Sequence, residues 1–444
     1  MSVDPRESHP QSQQSPQGSR IDPYVGAYAA RAQGMVASEV RALFAVASRP
    51  EVVSLAGGMP NVSALPLDDL GDIVRSVVTE QGPTALQYGP AQGDPGLREQ
   101  ICTVMADEGI AASPDDVIVT VGSQQALDLV TRVFVDPGDV VLAEAPTYVT
   151  AINTFAAFQA DVHHVAMDDE GVVPEALEES LAGLAAAGRK PKFFYTVPTF
   201  QNPAGVTLST QRRQRIIEIC DRFNVLILED NPYGLLGFES EPMRALQADA
   251  PDNVIYLGSF SKTLSPGFRI GWALAPASVR DKLVLAAESA MLSHSIFNQL
   301  VVARYLAVHP WREQIKDFRE MYRGRRDAML SALEGQMPPD TSWTRPAGGF
   351  FVWLTLPDGL DAKAMLPRAV NERVAYVPGT GFFANDEGRG NMRLSFCYPT
   401  PEQIREGIRR LSGVIEGELA LRDTFGSVPA PQSAGGDTPR PDLP

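Results

Sequence analysis

Short apolar runs alternate with helical patterns over much of the chain. V-I-V-T-V (117–121) leads into a helix-like stretch from Gln124 to Phe134. Further runs are V-V-L-A-E-A-P (140–146), K-F-F-Y-T-V-P (192–198), V-L-I-L-E-D (225–230), V-I-Y-L-G-S-F (254–260) and R-I-G-W-A-L-A (269–275). A strand with one wet face alternates apolar and polar residues, whereas continuous apolar strands joined by helices predict a mostly parallel sheet covered on both faces. The last two runs lie too close together for a helical crossover, so they are expected to pair antiparallel. Beyond about residue 280 the pattern changes to long helices. A final unit follows, with G-G-F-F-V-W-L (348–354), A-Y-V-P-G (375–379), M-R-L-S-F (392–396) and a helix from Pro401 to about Glu416. The class is α/β, with a smaller α+β domain after the large one. Expected boundaries are an N-terminal arm contributing to the small domain (21–64), a large domain (65–290) and the C-terminal small domain (291–423). Tyr28 to Phe44 reads as a helix packed with the small domain or near the cleft. The ends, 1–20 and 424–444, are rich in Pro, Gly, Ser or Gln and are expected to be disordered tails.

Composition narrows the function. The 444 residues are 44% hydrophobic and 21% charged, ordinary for a globular protein. A formal net charge of -16 leaves no basic footprint for nucleic acid. No run of about 18 apolar residues predicts a membrane span, and the N-terminus lacks the apolar core of a signal peptide. Cys102, Cys220 and Cys397 are scattered without a C-x-x-C pair, which argues against a zinc site or disulfide framework and for a reduced, cytoplasmic setting. His163 and His164 fall in a strand-like stretch, where successive side chains point to opposite faces, so no metal pair is expected there.

The chemistry gathers where the apolar runs end. Ligands of open α/β sheets sit at the carboxyl ends of strands. The run 254–260 stops at Ser261 and Lys262, with Arg269 seven residues on. A lysine at the end of a buried strand is easily deprotonated and can attack an aldehyde. Ser259, Ser261 and Arg269 could hold a phosphate beside it. That combination suits pyridoxal phosphate (PLP); the alternative is a strand-end lysine in solvent. Gly122, Ser123 and Gln124 open a helix after 117–121 and offer a phosphate free amides, or Ser123 is a simple N-cap. Asp230 stands behind four apolar residues, where a carboxylate needs a partner; a pyridinium nitrogen would serve, as would a salt bridge or a helix cap. Tyr233 and Asn202 could each contact the ring's phenolic oxygen, although Tyr233 can equally pack in a core and N-P-A-G (202–205) is also a plain turn. Tyr148 could stack on a ring or be core. Arg393, a cation inside an apolar strand, fits an α-carboxylate or an internal salt bridge. Tyr88 in a glycine-rich loop reaches a ligand or only solvent. Gly57 and Gly58 permit close backbone approach or form a turn.

Together these strings resemble the class I/II aminotransferases, PLP enzymes of fold type I, and most closely the branch of 2-aminoadipate and kynurenine aminotransferases. The resemblance covers roughly residues 24 to 418. It implies a mostly parallel seven-stranded sheet, ping-pong transamination of an L-amino acid with a 2-oxo acid such as 2-oxoglutarate, and a homodimer with shared sites. It implies that Lys262 forms the Schiff base and shuttles a proton, that Asp230 pairs with the ring nitrogen, and that Asn202 and Tyr233 bind the phenolic oxygen. Tyr148 would stack on the ring. Ser123, Gln124, Ser259, Ser261 and Arg269 would bind phosphate, and Tyr88 the neighbouring subunit's phosphate. Arg393, with the Gly58 amide, would bind the substrate α-carboxylate. Two features depart from the better-known relatives. The stacking residue is tyrosine where aspartate aminotransferase has tryptophan, and no second arginine is assignable to a side-chain carboxylate. Arg31 or Arg41 could reach a distal acid group, or simply face solvent. Some relatives carry a winged-helix DNA-binding domain before this core; only about two dozen tail-like residues precede it here, so a free-standing enzyme is expected. A β- or γ-eliminating lyase on the same fold and a PLP-binding regulatory protein are the alternatives. The apolar surroundings suggest aromatic, branched or long-chain donors.

Overall fold

The computed structural model describes residues 22, 24–33, 49, 51–239, 241–385 and 387–426. Most of the expected 28–44 helix, Arg41 included, lies outside the described residues, as do nearly all of the two tails; a single helical turn, Ala30–Gln33, is described there.

Strand β1 (Val53–Ser54) comes first. The large sheet is built from β2 (Val117–Thr120), β3 (Val140–Ala145), β4 (Asp161–Asp168), β5 (Gly171–Val172), β6 (Phe193–Thr196), β7 (Leu226–Asp230), β8 (Val254–Ser259) and β9 (Gly271–Leu274). Their order is β2-β9-β8-β7-β6-β3-β4-β5. Pairs β8–β7–β6–β3–β4 are parallel; β9 runs antiparallel to β8 and β2, with Ser259 opposite Gly271. Every apolar run thus becomes a strand, and the close pair 254–260 and 269–275 is antiparallel as its short connection requires. The two-residue β5 adds an eighth strand to the expected seven. In β4 the pleat sends the histidines apart: His163 meets Asp161, and His164 meets the Glu144 carbonyl.

The strands are apolar throughout because both faces are covered. Val141, Ala143, Phe193, Tyr195, Ile255 and Leu257 pack on one face with helices Ser123–Phe134, Val149–Ala157 and Ala277–Met291. Their alternates Val140, Leu142, Phe194, Ile227 and Val254 pack on the other, under helices Pro174–Ala186 and Thr210–Arg222. Each such large side chain contributes about 1.5–3 kcal/mol by leaving water. A third cluster joins Tyr256, Trp272 and Val119 to helices Leu67–Ala85, Pro95–Met105 and Ile296–Val308.

The small sheet holds β10 (Ser342–Trp343), β11 (Phe351–Thr355), β13 (Val377–Pro378) and β14 (Asn391–Ser395) in the antiparallel order β10-β11-β14-β13. The expected strand 375–379 is split, its first part being β12 (Val374–Ala375), which pairs in parallel with β1. The arm before residue 64 is thereby tied to the C-terminal half. Helix Trp311–Gln336 lies along helix Pro401–Phe425, which runs on past the expected end near Glu416.

One close approach sets the site. A Cβ on Gly271 of β9 would lie 2.4 Å from the Gly122 carbonyl carbon and 2.5 Å from the Ser123 nitrogen. Neither neighbour is a flexible side chain, so only glycine lets the strand press against the start of the 123–134 helix. Gly271→Ala should lower stability by about 1–3 kcal/mol, read as a reduced urea midpoint; an unchanged midpoint would mean that the two backbones are not in contact.

Candidate functional site

The carboxyl ends of β2, β3, β6, β7 and β8 converge on the small sheet. A cavity of about 390 Å³ opens there, lined by Gly58, Ser123, Tyr148, Asn202, Asp230, Tyr233, Ser259, Ser261, Lys262 and Arg393, together with Met59, Val149, Val197 and Phe351. All of these end the strands of the large sheet or lie on the segments that follow them, except Gly58 and Met59, which follow β1, and Phe351 and Arg393, which stand on β11 and β14.

Asp230 is 4% exposed. Its Oδ2 accepts a hydrogen bond from the Tyr195 hydroxyl at 2.9 Å, while its Oδ1 is buried without a partner among the described residues. Burial pushes its carboxyl up to about 7, against the pull of the Tyr195 hydrogen bond. Lys262, half-buried by its surroundings, donates from Nζ to the Gly58 carbonyl at 2.8 Å. Burial draws its ammonium down to about 8, and the nearby Arg393 and Arg269 push the same way. Arg393 donates to Asn202 Oδ1 at 2.9 Å and to the Ala56 carbonyl at 2.8 Å. Its guanidinium lies 4.1 Å from the Phe351 ring centroid, and its Nε is buried without a partner among the described residues. No carboxylate neutralises it in these contacts, and burial lowers it to about 10. Tyr233 is buried edge-on against Phe350 and Phe351.

The serines form a compact group. Ser259 Oγ accepts from the Ser261 amide at 3.0 Å and donates to Ser261 Oγ at 2.8 Å. The helix start at Ser123 has no side-chain cap: the Gln125 amide donates to the Gly122 carbonyl at 3.2 Å, and the Ser123 and Gln124 amides have no partner among the described residues. Arg269, in the left-handed region at φ 53, lays its guanidinium on the Val121 carbonyl beside Gly122. Arg269, Gln124 and Tyr88 are not among the cavity's lining residues. The Gln124 side chain turns away to Thr154 Oγ1 at 2.8 Å, leaving its backbone as its possible contribution. Tyr88 is 76% exposed. Arg31 is exposed as well.

A model of the family "Aminotransferase class I and II" matches residues 59–411. The chain is 44% identical over 394 residues to aromatic-amino-acid aminotransferase 1 of Thermococcus litoralis, covering 88% of this chain and 94% of that one. It is 39% identical over 390 residues to 2-aminoadipate transaminase of Thermus thermophilus, covering 87% and 95%. Among solved structures, Pyrococcus horikoshii kynurenine aminotransferase, in complex with PMP, superposes with a TM-score of 0.85 at 43% identity, covering 88% of this chain and 97% of that one. The chain belongs to the class I and II aminotransferases. It is an enzyme of amino-group transfer, in a family that works with PLP.

The cavity of the aminotransferase fits that cofactor on its own chemistry. The orphaned Oδ1 of Asp230 is an acceptor without a donor, the need that a protonated ring nitrogen meets. The uncapped helix start and the serine pair gather donors suited to a phosphate, and Arg269 brings a cation beside Gly122 at the same helix start. Lys262 is the amine of the site, and its depressed pKa suits a nucleophile.

Sequence reasoning missed two supports. Tyr195, on the same face of the sheet as Phe193, holds Asp230; a hydroxyl in a central apolar strand was the available signal, since a buried Tyr usually finds a partner. Glu144, buried at the end of β3, accepts from Thr196 Oγ1 at 2.6 Å and from the Val197 amide and Gln201 Nε2, each at 3.1 Å. Gln201 in turn accepts from the Ala204 amide, which shapes the turn bearing Asn202.

Asp230 titrates higher folded than unfolded. Between about pH 4 and 7 the folded state therefore holds a proton that the unfolded state has released, and stability falls as pH rises through that window. In the cofactor-free protein, Asp230→Asn should remove this cost: at pH 8 the variant should be more stable by up to about 4 kcal/mol, with the gain shrinking toward pH 4. Thermal unfolding at both pH values measures it, and equal melting of parent and variant at pH 8 would contradict the burial cost.

Proposed function

We propose that the enzyme transaminates L-amino acids with aromatic, branched or 2-aminoadipate-like side chains, using a 2-oxo acid such as 2-oxoglutarate as acceptor, by a ping-pong cycle centred on Lys262. The observation that carries this reading is the unpaired Asp230 Oδ1 in one cavity with the desolvated Lys262 amine and the carboxylate-free Arg393 guanidinium.

Bound PLP supplies an aldehyde to carry the amino group and a ring that draws electrons from the substrate's α carbon. Asp230 would pair with the ring nitrogen, kept in register by Tyr195. Tyr148 would stack on the ring, and Asn202 and Tyr233 would hold its phenolic oxygen. Ser123, Ser259 and Ser261, the Gln124 amide and Arg269 would hold the phosphate. Arg393 keeps Nε–H and further N–H groups uncommitted after its bonds to Asn202 and Ala56, enough to bind an α-carboxylate, with the Gly58 amide nearby. With the α-carboxylate so anchored, the neutral Lys262 Nζ would take the proton from the α carbon and return it on the other side of the transfer. A pKa near 8 leaves an appreciable fraction of neutral amine at physiological pH. The donor range draws support from Met59, Val149 and Phe351 in the cavity wall, and from relatives named for aromatic amino acids, 2-aminoadipate and kynurenine.

The reading extends to a homodimer in the cytoplasm. Tyr88 and Leu86 are 76% and 77% exposed, apolar surface that a second copy would cover, and Tyr88 would reach that copy's phosphate. The cysteines among the described residues are all free, as a reducing compartment would keep them.

Lys262→Ala should abolish turnover and the pyridoxyl mass that borohydride fixes to this side chain in the parent; a variant with parental turnover removes the proposal. In the same assay, glutamate formed from 2-oxoglutarate should be greatest with aromatic or branched donors or with 2-aminoadipate, and a preference for aspartate would refute the donor assignment. Light scattering should give about twice the 48.0 kDa chain mass, with Tyr88→Ala weakening cofactor retention; a monomer with full activity would refute the shared site.

A further inference from the structure

The turn that carries Asp230 and Tyr233 into the cavity rests on a carboxyl group outside it. Glu108 ends the 3-10 turn Ala106–Glu108 that follows helix Pro95–Met105, and it is 3% exposed. Its Oε1 accepts from Asn231 Nδ2 at 2.7 Å, and its Oε2 accepts from the Tyr256 hydroxyl on β8 at 2.6 Å. Its own carbonyl accepts from the Ala245 amide at 3.0 Å. A Cβ at Gly234 would lie 1.7 Å from Oε1. The carboxyl group therefore grips one end of the segment 231–234 by a hydrogen bond and abuts the other by contact, with Pro232 and Tyr233 between.

We infer that Glu108 is a positioning residue for the transamination reaction: it fixes the Asp230–Tyr233 turn against the cavity from behind. The inference rests on the roles proposed above for Asp230 and Tyr233. Two independent features carry it, the bond to Asn231 and the absence of space at Gly234. β8 supplies the anchor, because Tyr256 stands opposite Glu229, the residue before Asp230. Burial pushes the Glu108 carboxyl up to about 8, against the pull of its hydrogen bonds from Tyr256 and Asn231, with Glu229 adding to the rise and Arg213 opposing it. Glutamine should replace it, since its oxygen can accept from Asn231 and its amide can donate to Tyr256. Alanine cannot, and it leaves both partners unsatisfied.

The test uses the PLP-loaded enzyme. Glu108→Ala should lower kcat about ten-fold or more, with the donor KM changed less than about two-fold, because Arg393 is untouched. The pH at which the bound cofactor's absorption band titrates should shift as well, a change that a general loss of stability does not produce. Glu108→Gln should restore both. Should Glu108→Ala fail to fold, Gly234→Ala gives the same information: it should lose kcat, and the shorter side chain of Glu108→Asp in the same chain should recover much of that loss. Parental kcat and band in Glu108→Ala, damage in Glu108→Gln equal to that of alanine, or a double variant no better than Gly234→Ala would each overturn the inference. Asp230→Asn run alongside separates the two levels. If it keeps parental turnover, the site reading itself fails; if it loses turnover while Glu108→Ala does not, only the clamp fails.

Discussion

Desolvation of charge governs this molecule. Asp230, Lys262 and Arg393 face one cavity, and none of them forms an ion pair with another. Each is held by neutral groups: a phenol for Asp230, a backbone carbonyl for Lys262, and an amide oxygen and a carbonyl for Arg393. Direct pairing would have drawn Lys262 back toward an ordinary ammonium and occupied Arg393. Burial moves each group toward its neutral form instead, up for the carboxyl and down for the two cations. The fold carries that cost, and on the proposed roles the cofactor's cationic ring and aldehyde and the substrate's carboxylate would relieve it at three points.

Such a site needs a rigid frame, and the frame is polar where it touches the site and apolar behind it. Glu144 is buried yet accepts three donors, so it acts as a fixed staple between the ends of β3 and β6. Glu229 does the same one residue before Asp230, accepting from the Leu246 and Gln247 amides. Buried carboxylates satisfied in this way tie strand ends to loops more firmly than apolar contacts, which can slide. Beneath them the two interdigitated faces of the sheet provide the bulk of the burial.

The sheet, its antiparallel pair and the main site residues were legible because each leaves a local mark. Continuous apolar runs signalled doubly covered strands. Asp230, Lys262 and Arg393 were conspicuous as charges at the end or in the middle of such runs. What was not legible depends on contacts distant in sequence. Glu108, in A-D-E-G, reads as a solvated helix end, and only its 123-residue reach to Asn231 reveals it as buried. The turn of Gln124 toward Thr154 depends on how two helices pack. The 375–379 run gave no hint that it divides between two sheets, because period and composition are the same on both sides of the break.

The cleft's position between two sheets adds a constraint on the chemistry. Asp230 ends β7 and Lys262 lies in the turn after β8 of the large sheet, whereas Arg393 stands on β14 of the small one. The distance between the Lys262 amine and the Arg393 guanidinium, proposed above to move the proton and to bind the carboxylate, is therefore set by sheet-to-sheet contacts rather than by any one element. Those contacts include Arg393 to Asn202, and the loop after β1 bridges the two sides: Leu55 accepts from the Ser395 amide, Ala56 accepts from Arg393, and Gly58 accepts from Lys262. A substrate that binds both Arg393 and the cofactor spans the same gap as this loop. On the proposed roles, differences in how well a substrate fills that span would change the alignment of its α carbon with Lys262, and so would affect rate more than binding.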